Sequence, residues 1–418
     1  MEEQGSTANI DNFTELTHFF NDQQITTYEK DISTIDIIKA TLEKSHSDTG
    51  FFIVDLSTVI AQYKKWMEHL PRIKPFYAIK CNPDQLLIKT LSMLGVNFDC
   101  ASKNEIILAL EATNNDASRV IFANPAKADY HLKYARGVDV DLMTFDNMYE
   151  LFKIVNFHPN AQLVLRIKVD DSHSVCRFNS KFGADLDDVD GLMKLAKTIG
   201  LDIVGVSFHV GSGCKNVNAY RTAIDSCRKV FDIGKENGYM LNILDLGGGF
   251  PGTTESDIKF EDIAETINEA IDEYFSEEDF PEDYGLQIIA EPGRYFASAS
   301  HTLVLNVIAK NKKIDKTTKE IRFAYTLNDG VYGSFNSIMF DHAKPMIKPF
   351  NERDGKVYEC TVYGPTCDSM DTISQSCKLP DLAIGESVYI EDSGAYTTAA
   401  ASNFNGFQRT PCEYIMRC

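Results

Sequence analysis

Nowhere in its 418 residues does the chain hold an apolar run close to the roughly 18–20 residues of a membrane-spanning helix. Its opening, MEEQGSTANIDNF, is acidic and lacks the apolar stretch of a secretory signal, so a cytoplasmic location is expected. Positive charge is also short. Lys and Arg number 41 against 61 Asp and Glu, a net charge of −20, which argues against nucleic acid or an anionic membrane surface as partner. The ten cysteines make no CxxC pair, and without an export signal they read as reduced thiols that mostly fill the core. The nine histidines form no HExxH or comparable spacing, so no metal site is expected. Internal repeats, low-complexity segments and long linkers are absent.

What remains is an ordinary globular composition, 44% hydrophobic and 24% charged. The chain is longer than a single core usually supports, so two domains are expected. Between residues 75 and 293, short apolar runs alternate with longer charged segments that carry apolar residues at helical spacing. The runs are PFYAIK, VNFDC, RVIFANP, LMTFD, LVLRIKV, IVGVSFHV, LNILDLGGG and QIIAEPGR. Continuously apolar strands separated by helices indicate a parallel sheet buried on both faces, and eight such units suggest a (β/α)8 TIM-like barrel; a doubly wound open sheet has the same periodicity. After about residue 295, HTLVLNVIAK, IRFAYTLNDG, KVYECTVYGP and ESVYIED read as strands without intervening helices. The expected layout is a barrel over 46–293, an all-β domain over 294–418, and an N-terminal segment 1–45 without a barrel unit.

Polar residues gather at the ends of the apolar runs, the face on which such barrels build active sites. PFYAIKCN ends a strand-like run with Lys80. An amine there ordinarily lays its stem along the strand and keeps its charge in water. The other strand ends supply a reason for a different role. DLGGGFPG matches G-x-G-x-x-G through Gly247, Gly249 and Gly252, but Pro251 spoils it as a dinucleotide fingerprint. As the loop after a seventh barrel strand it suits a phosphate, although a plain tight turn has the same composition. EPGRYF adds Glu291 and Arg294, and HVGSG adds His209 with Ser212 in a glycine-flanked turn. Singly, these read as an ion pair and a packing histidine. Together, a lysine, a phosphate cup, a carboxylate and an arginine suit pyridoxal phosphate: the amine forms a Schiff base and the acid keeps the pyridine nitrogen protonated.

PFYAIKCN, FDCASKNE, SFHVGSGC, LDLGGGFPG, IAEPGRYF, NDGVYGSFN, YGPTCDSMD and GAYTTAAASNFNGFQR resemble, in order, the eukaryotic-type ornithine decarboxylases, members of the alanine-racemase-like fold group of pyridoxal phosphate enzymes. The resemblance runs from about residue 30 to 412. It implies that Lys80 is the Schiff-base lysine, Glu291 the partner of the pyridinium nitrogen and His209 the imidazole stacked on the ring. By the same resemblance Gly247, Gly248, Gly249, Ser212, Arg294 and Tyr396 form the phosphate shell, with Asp99, Glu105 and Arg166 around the cofactor. Cys367 in GPTCD is similar to the thiol that returns a proton after carbon dioxide leaves, and Asp341 and Asp368 to the pair that holds the distal ammonium of ornithine. The resemblance further implies a head-to-tail homodimer with Cys367 and Asp368 contributed across it, and an N-terminal segment that joins the β domain. Antizyme is a further partner in vertebrate relatives, at the position of the stretch Asn124 to Asp146, whose mixed charge leaves that partner open here. The chain stops at Cys418 without the extended degradation tail of those relatives, which puts rapid turnover in doubt. Two alternatives stay open: a non-catalytic regulator like the antizyme inhibitors, and a decarboxylase of lysine, arginine or diaminopimelate on the same scaffold. One methylene changes discrimination by only about 1–3 kcal/mol, so pocket length decides between ornithine and lysine.

Overall fold

The computed structural model describes residues 25–44, 48–253, 256–314, 316–317, 319–351, 353 and 355–418. They form two compact units, Ile60–Phe296 and the residues up to Val59 together with Ala297–Cys418. The boundary falls inside the helix Leu56–His69.

The first unit is a closed parallel barrel. Its eight strands are Ile73–Ala78, Asn97–Cys100, Val120–Phe122, Leu142–Phe145, Gln162–Arg166, Asp202–Ser207, Ile243–Asp245 and Gln287–Ala290, and each overlaps one of the eight apolar runs. Strand eight closes the ring on strand one, with Ile288 opposite Ile73 and Ala290 opposite Pro75. An open doubly wound sheet is thereby excluded. Phe76, Ile121, Ala123, Val164 and Ile289 form one buried cluster of this unit.

The helices begin where the strands end, and side chains fix several starts. Asp84 accepts the Leu87 N–H at 2.8 Å, Ser102 caps Lys103–Ala112, and Asn147 accepts the Tyr149 and Glu150 N–H groups. Lys127, between strands three and four, is fully buried; its ammonium reaches Glu150 at 2.9 Å and the Thr144 carbonyl at 2.6 Å.

Among the described residues, the second unit is built on a nine-stranded sheet. Its long central strand His301–Ile314 pairs antiparallel with Ile321–Leu327, Ser387–Ile390 and Phe51–Asp55. Cys412–Arg417 runs parallel to Phe51–Asp55, and Thr26–Tyr28 runs parallel to Cys412–Arg417. Ile37 and Ile38 of the helix Thr34–Lys44 pack against Phe51, Ile53, Val304 and Ile415. The boundaries at residues 46 and 293 therefore shift: Phe51–Asp55 belongs to the β unit, and Arg294–Phe296 to the barrel. FFIVD is buried at every position and reads alike for either sheet, so composition could not decide it. Of the N-terminal segment 1–45, residues 1–24 and 45 lie outside the described residues.

Candidate active site

Lys80 sits in a single 3-10 turn, Ile79–Cys81, directly after strand one, with Ile79 and Cys81 both buried. Strand two starts at Asn97 and carries Asp99, which is buried; the Lys80 ammonium meets Asp99 Oδ2 at 2.5 Å. Lys80 itself is 42% exposed, so the carboxylate holds its amine at the rim without sealing it off. Asp99 Oδ1 is buried without a hydrogen-bond partner among the described residues. Glu105 stands in the first turn of the next helix, where its carboxylate accepts the Ala101 N–H at 2.6 Å, and burial raises its pKa. That placement explains Glu105 first as a helix-start acceptor.

Arg166 ends strand five, and its Nε and Nη2 are buried with no hydrogen-bond partner among the described residues. Its guanidinium lies 5.4 Å from the centre of the Phe182 ring. Two unsatisfied charged donors inside a folded chain are costly unless a ligand or solvent meets them. His209, just after strand six, is buried; its Nδ1 accepts the Gly211 N–H at 2.9 Å, and Phe178 meets the ring edge-on. Burial lowers the His209 pKa well below the usual imidazole value, and the Arg166 and Lys80 charges lower it further. The ring is therefore neutral at pH 7, and acceptance at Nδ1 leaves its proton on Nε2.

The glycine run after strand seven is packed too closely for side chains. A Cβ on Gly248 would lie 2.8 Å from the Glu291 carbonyl and 3.0 Å from His209 Nε2. One on Gly249, where φ is 108°, would lie 2.7 Å from the Gly211 carbonyl. The loops after strands six, seven and eight thus meet at this run. Ser212 lies in the short strand Ser212–Cys214, paired with Ser174–Cys176, and not in the turn expected for it. Its hydroxyl accepts from Arg294 Nη2 at 2.7 Å and Nε at 3.2 Å, which leaves its own proton to donate.

Glu291 follows strand eight and is buried, and its backbone N–H donates to the Gly247 carbonyl at 2.7 Å. Burial raises its pKa strongly, and the neighbouring Asp245 and Asp99 raise it further. Asp245, the last residue of strand seven, was not singled out from the sequence. It is fully buried, accepts the Gly247 N–H at 2.9 Å, and has its pKa pushed up to about 7, chiefly by burial. Other supporting residues were equally invisible as a pattern. Tyr220 donates its hydroxyl to the Gly248 carbonyl at 3.0 Å. Trp66 packs against Phe250 and Tyr295, the residues directly after the glycine run and Arg294.

The remaining expected site residues lie on the β unit. Cys367 is exposed, and its N–H donates to Asn405 Oδ1 at 3.0 Å. Asp368 accepts from the Tyr332 hydroxyl and the Met370 N–H, and these bonds hold its carboxyl below the usual range. Asp341 caps the end of the short helix Ser337–Phe340, and Tyr396 has a left-handed backbone with φ 56°. The structure brings Lys80, Asp99, Glu105, Arg166, His209, Ser212, Gly247, Gly248, Gly249, Glu291 and Arg294 onto the barrel unit, all at or after the C-terminal ends of its strands.

An amine at the mouth, a tight glycine turn beside a hydroxyl and a guanidinium, and buried acids opposite unsatisfied Arg166 donors fit an aldehyde-bearing phosphorylated pyridine. Residues 56–298 match the pyridoxal-binding domain of the pyridoxal-dependent decarboxylases, and the chain belongs to that family. Within it, the chain is 45% identical over 386 residues to ornithine decarboxylase of Mus musculus, covering 90% of this chain and 82% of the mouse protein. It is 46% identical over 377 residues to antizyme inhibitor 2 of Xenopus laevis, covering 88% and 81%. The crystal structure of the Paramecium bursaria Chlorella virus arginine decarboxylase superposes with a TM-score of 0.85 at 34% identity, covering 91% of this chain and all of that one. The chain is a pyridoxal-phosphate-dependent decarboxylase with a barrel and a separate β-sheet unit.

Proposed function

We propose that the enzyme removes the α-carboxyl of L-ornithine to give putrescine, the step that feeds polyamine synthesis. The observation that carries this reading is the Lys80–Asp99 contact at the barrel rim, where a buried carboxylate presents a half-exposed amine. Lys80 Nζ would hold the cofactor's aldehyde carbon. Ser212, Arg294 and the run Gly247–Gly249 would hold its phosphate with Tyr396, Glu291 would meet its ring nitrogen, and His209 would lie on its face. Asp99, Glu105 and Arg166 would support these groups. Pyridoxal phosphate, when bound, supplies a protonated ring that accepts the electron pair released as the carboxyl leaves.

The chain's own residues do the rest. Neutral His209 offers a flat face without adding a second positive charge beside Lys80 and Arg166. The Cys367 thiol returns a proton to the α-carbon, and its exposure on the β unit suits delivery to a group from outside that unit. Asp341 and Asp368 recognise an ammonium at the far end of the substrate. The Tyr332 hydroxyl and Met370 N–H keep Asp368 ionised, as a cation-binding carboxylate must be. A second carboxylate on the substrate, as in diaminopimelate, would meet acids there. Cys367 and Asp368 act across a homodimer in this reading, the stretch 124–146, where Tyr130 is exposed, leaves antizyme an open partner, and ten cysteines without a CxxC pair suit the cytoplasm.

Carbon dioxide release is the test, with ornithine, lysine, arginine and diaminopimelate offered side by side to the cofactor-loaded protein and to Lys80→Ala. Preference for ornithine, lost in Lys80→Ala, is expected. Preference for another amino acid keeps the mechanism and overturns the substrate. No release from a folded, loaded protein moves the assignment to an antizyme-inhibitor-like regulator, the second reading that the Xenopus relative keeps in view.

A further inference from the structure

Two carboxyl groups are packed together at the base of the proposed cofactor site, and their oxygens do not balance as two anions. Asp245 has no exposed surface; Oδ1 takes the Gly247 N–H at 2.9 Å, and Oδ2 is buried with no hydrogen-bond donor among the described residues. The neighbouring acid is Glu291, whose carboxyl is also buried and raises the cost of a second charge there. A hydrogen bond between two carboxyl groups exists only if one of them carries a proton. The backbone holds the pair in place: Ile289 is in register with Asp245 across strands seven and eight, and the Glu291 N–H binds the Gly247 carbonyl at 2.7 Å.

The surrounding charges make two ionised carboxylates here still less favourable. Asp99 adds a third buried carboxylate from strand two. Against these stand Arg166 from strand five and the Lys80 ammonium, which is already bonded to Asp99. His209 is neutral, and on the helix Asn218–Glu236 the buried Cys227 thiol lies within reach of the Asp245 charge. Three anions withdrawn from water against two cations is the arrangement in which one acid keeps its proton.

We propose that Asp245 is a positioning residue that shares one proton with Glu291, so that the pair carries a single negative charge and Asp245, in its protonated form, donates a hydrogen bond that aims the Glu291 carboxylate at the cofactor's ring nitrogen. The inference rests on the assignment of Glu291 to that nitrogen. It differs from a purely charge-based role, because a protonated aspartic acid and an asparagine make the same bonds. Each accepts the Gly247 N–H through Oδ1 and donates to Glu291 from the other atom.

The test compares Asp245→Asn with Asp245→Ala for cofactor retention, and follows Asp245 itself by carboxyl-carbon NMR in cofactor-free wild type labelled at aspartate. Asp245→Asn is expected to hold pyridoxal phosphate within about threefold of wild type. Asp245→Ala, which leaves the Gly247 N–H unpaired and Glu291 unsupported, should hold it roughly ten- to a hundredfold more weakly. The resonance missing from Asp245→Asn should titrate near neutral pH in wild type and move to lower pH in Glu291→Gln, where the neighbouring charge is gone. An Asp245→Asn defect as severe as that of Asp245→Ala overturns the proposal. So does an Asp245 resonance already ionised in mildly acidic solution, a measurement on wild type that no folding defect obscures. Failure of the wild type to bind pyridoxal phosphate at all would instead remove the assignment of the site, a separate result.

Discussion

At the scale of the single residue, the barrel rim spends its charge unevenly, and the imbalance has a measurable pH signature. Burial and mutual repulsion raise the pKa of both Asp245 and Glu291. In the unfolded chain an aspartate titrates near 3.9, so between that pH and about 7 the folded state holds a proton that the unfolded state has released. A raised carboxyl pKa contributes stability that is present at low pH and lost as pH rises through the folded value. The cofactor-free protein should therefore lose stability over that window, by up to ~1.4 kcal/mol per pH unit for one proton, and level off above it. Asp245→Asn should flatten the slope. Urea denaturation of both proteins at a series of pH values checks this, and equal slopes would show that the pair does not titrate across the window. The Lys80–Asp99 contact makes a different demand. Asp99→Asn keeps the shape but leaves the amine without its anion, and the expected result is a loss of about tenfold or more in turnover with the fold intact, read by circular dichroism alongside carbon dioxide release.

At the scale of the element, the glycine run is supported from behind. Trp66 donates its indole N–H to the Ile73 carbonyl at 2.9 Å and packs 4.9 Å from Phe250 and 5.2 Å from Tyr295, so one side chain ties strand one to the loops after strands seven and eight. Trp66→Ala should cost about 3–5 kcal/mol of stability and weaken cofactor retention as well, since the loops it supports carry Gly249 and Arg294. Thermal unfolding and cofactor titration measure the two effects, and intact retention in a destabilised protein would confine Trp66 to the core. Gly248→Ala separates the same roles from the other side. Its methyl would press on His209 Nε2 and the Glu291 carbonyl, so activity should fall further than stability. This is also the scale at which the sequence was most legible. Eight apolar runs became eight barrel strands because a strand buried on both faces must be apolar throughout, and ionisable residues at their ends had no use in packing. FFIVD obeys the same rule in the other sheet, which is why a barrel expected over 46–293 takes it in. Asp245 stayed hidden for a related reason: an acid before a glycine turn ordinarily caps that turn, and its Gly247 bond does so here. Only the nearness of Glu291, 46 residues on in the chain, reveals its second neighbour.

At the scale of the whole molecule, the proposed chemistry is divided between two units of one chain. The lysine, the glycine run and the buried acids belong to Ile60–Phe296, whereas Cys367, Asp368, Asp341 and Tyr396 belong to the β unit. The homodimeric reading makes a quantitative demand on that division. If each site takes Lys80 from one protomer and Cys367 from its partner, Lys80→Ala and Cys367→Ala homodimers are both inactive, yet a mixed dimer holds one site with neither substitution and one with both. Random reassortment of equal amounts gives mixed dimers as half of the population, each with one working site, so about a quarter of wild-type activity should return. Sites completed within one protomer would return none, because every protomer then carries one lesion. The mixing must be done under conditions that let dimers exchange, with exchange confirmed by a mass tag on one variant. Recovery near a quarter, rising and falling with the fraction of tagged mixed dimer, would place Cys367 across the interface; complete exchange without recovery would return it to its own chain's site.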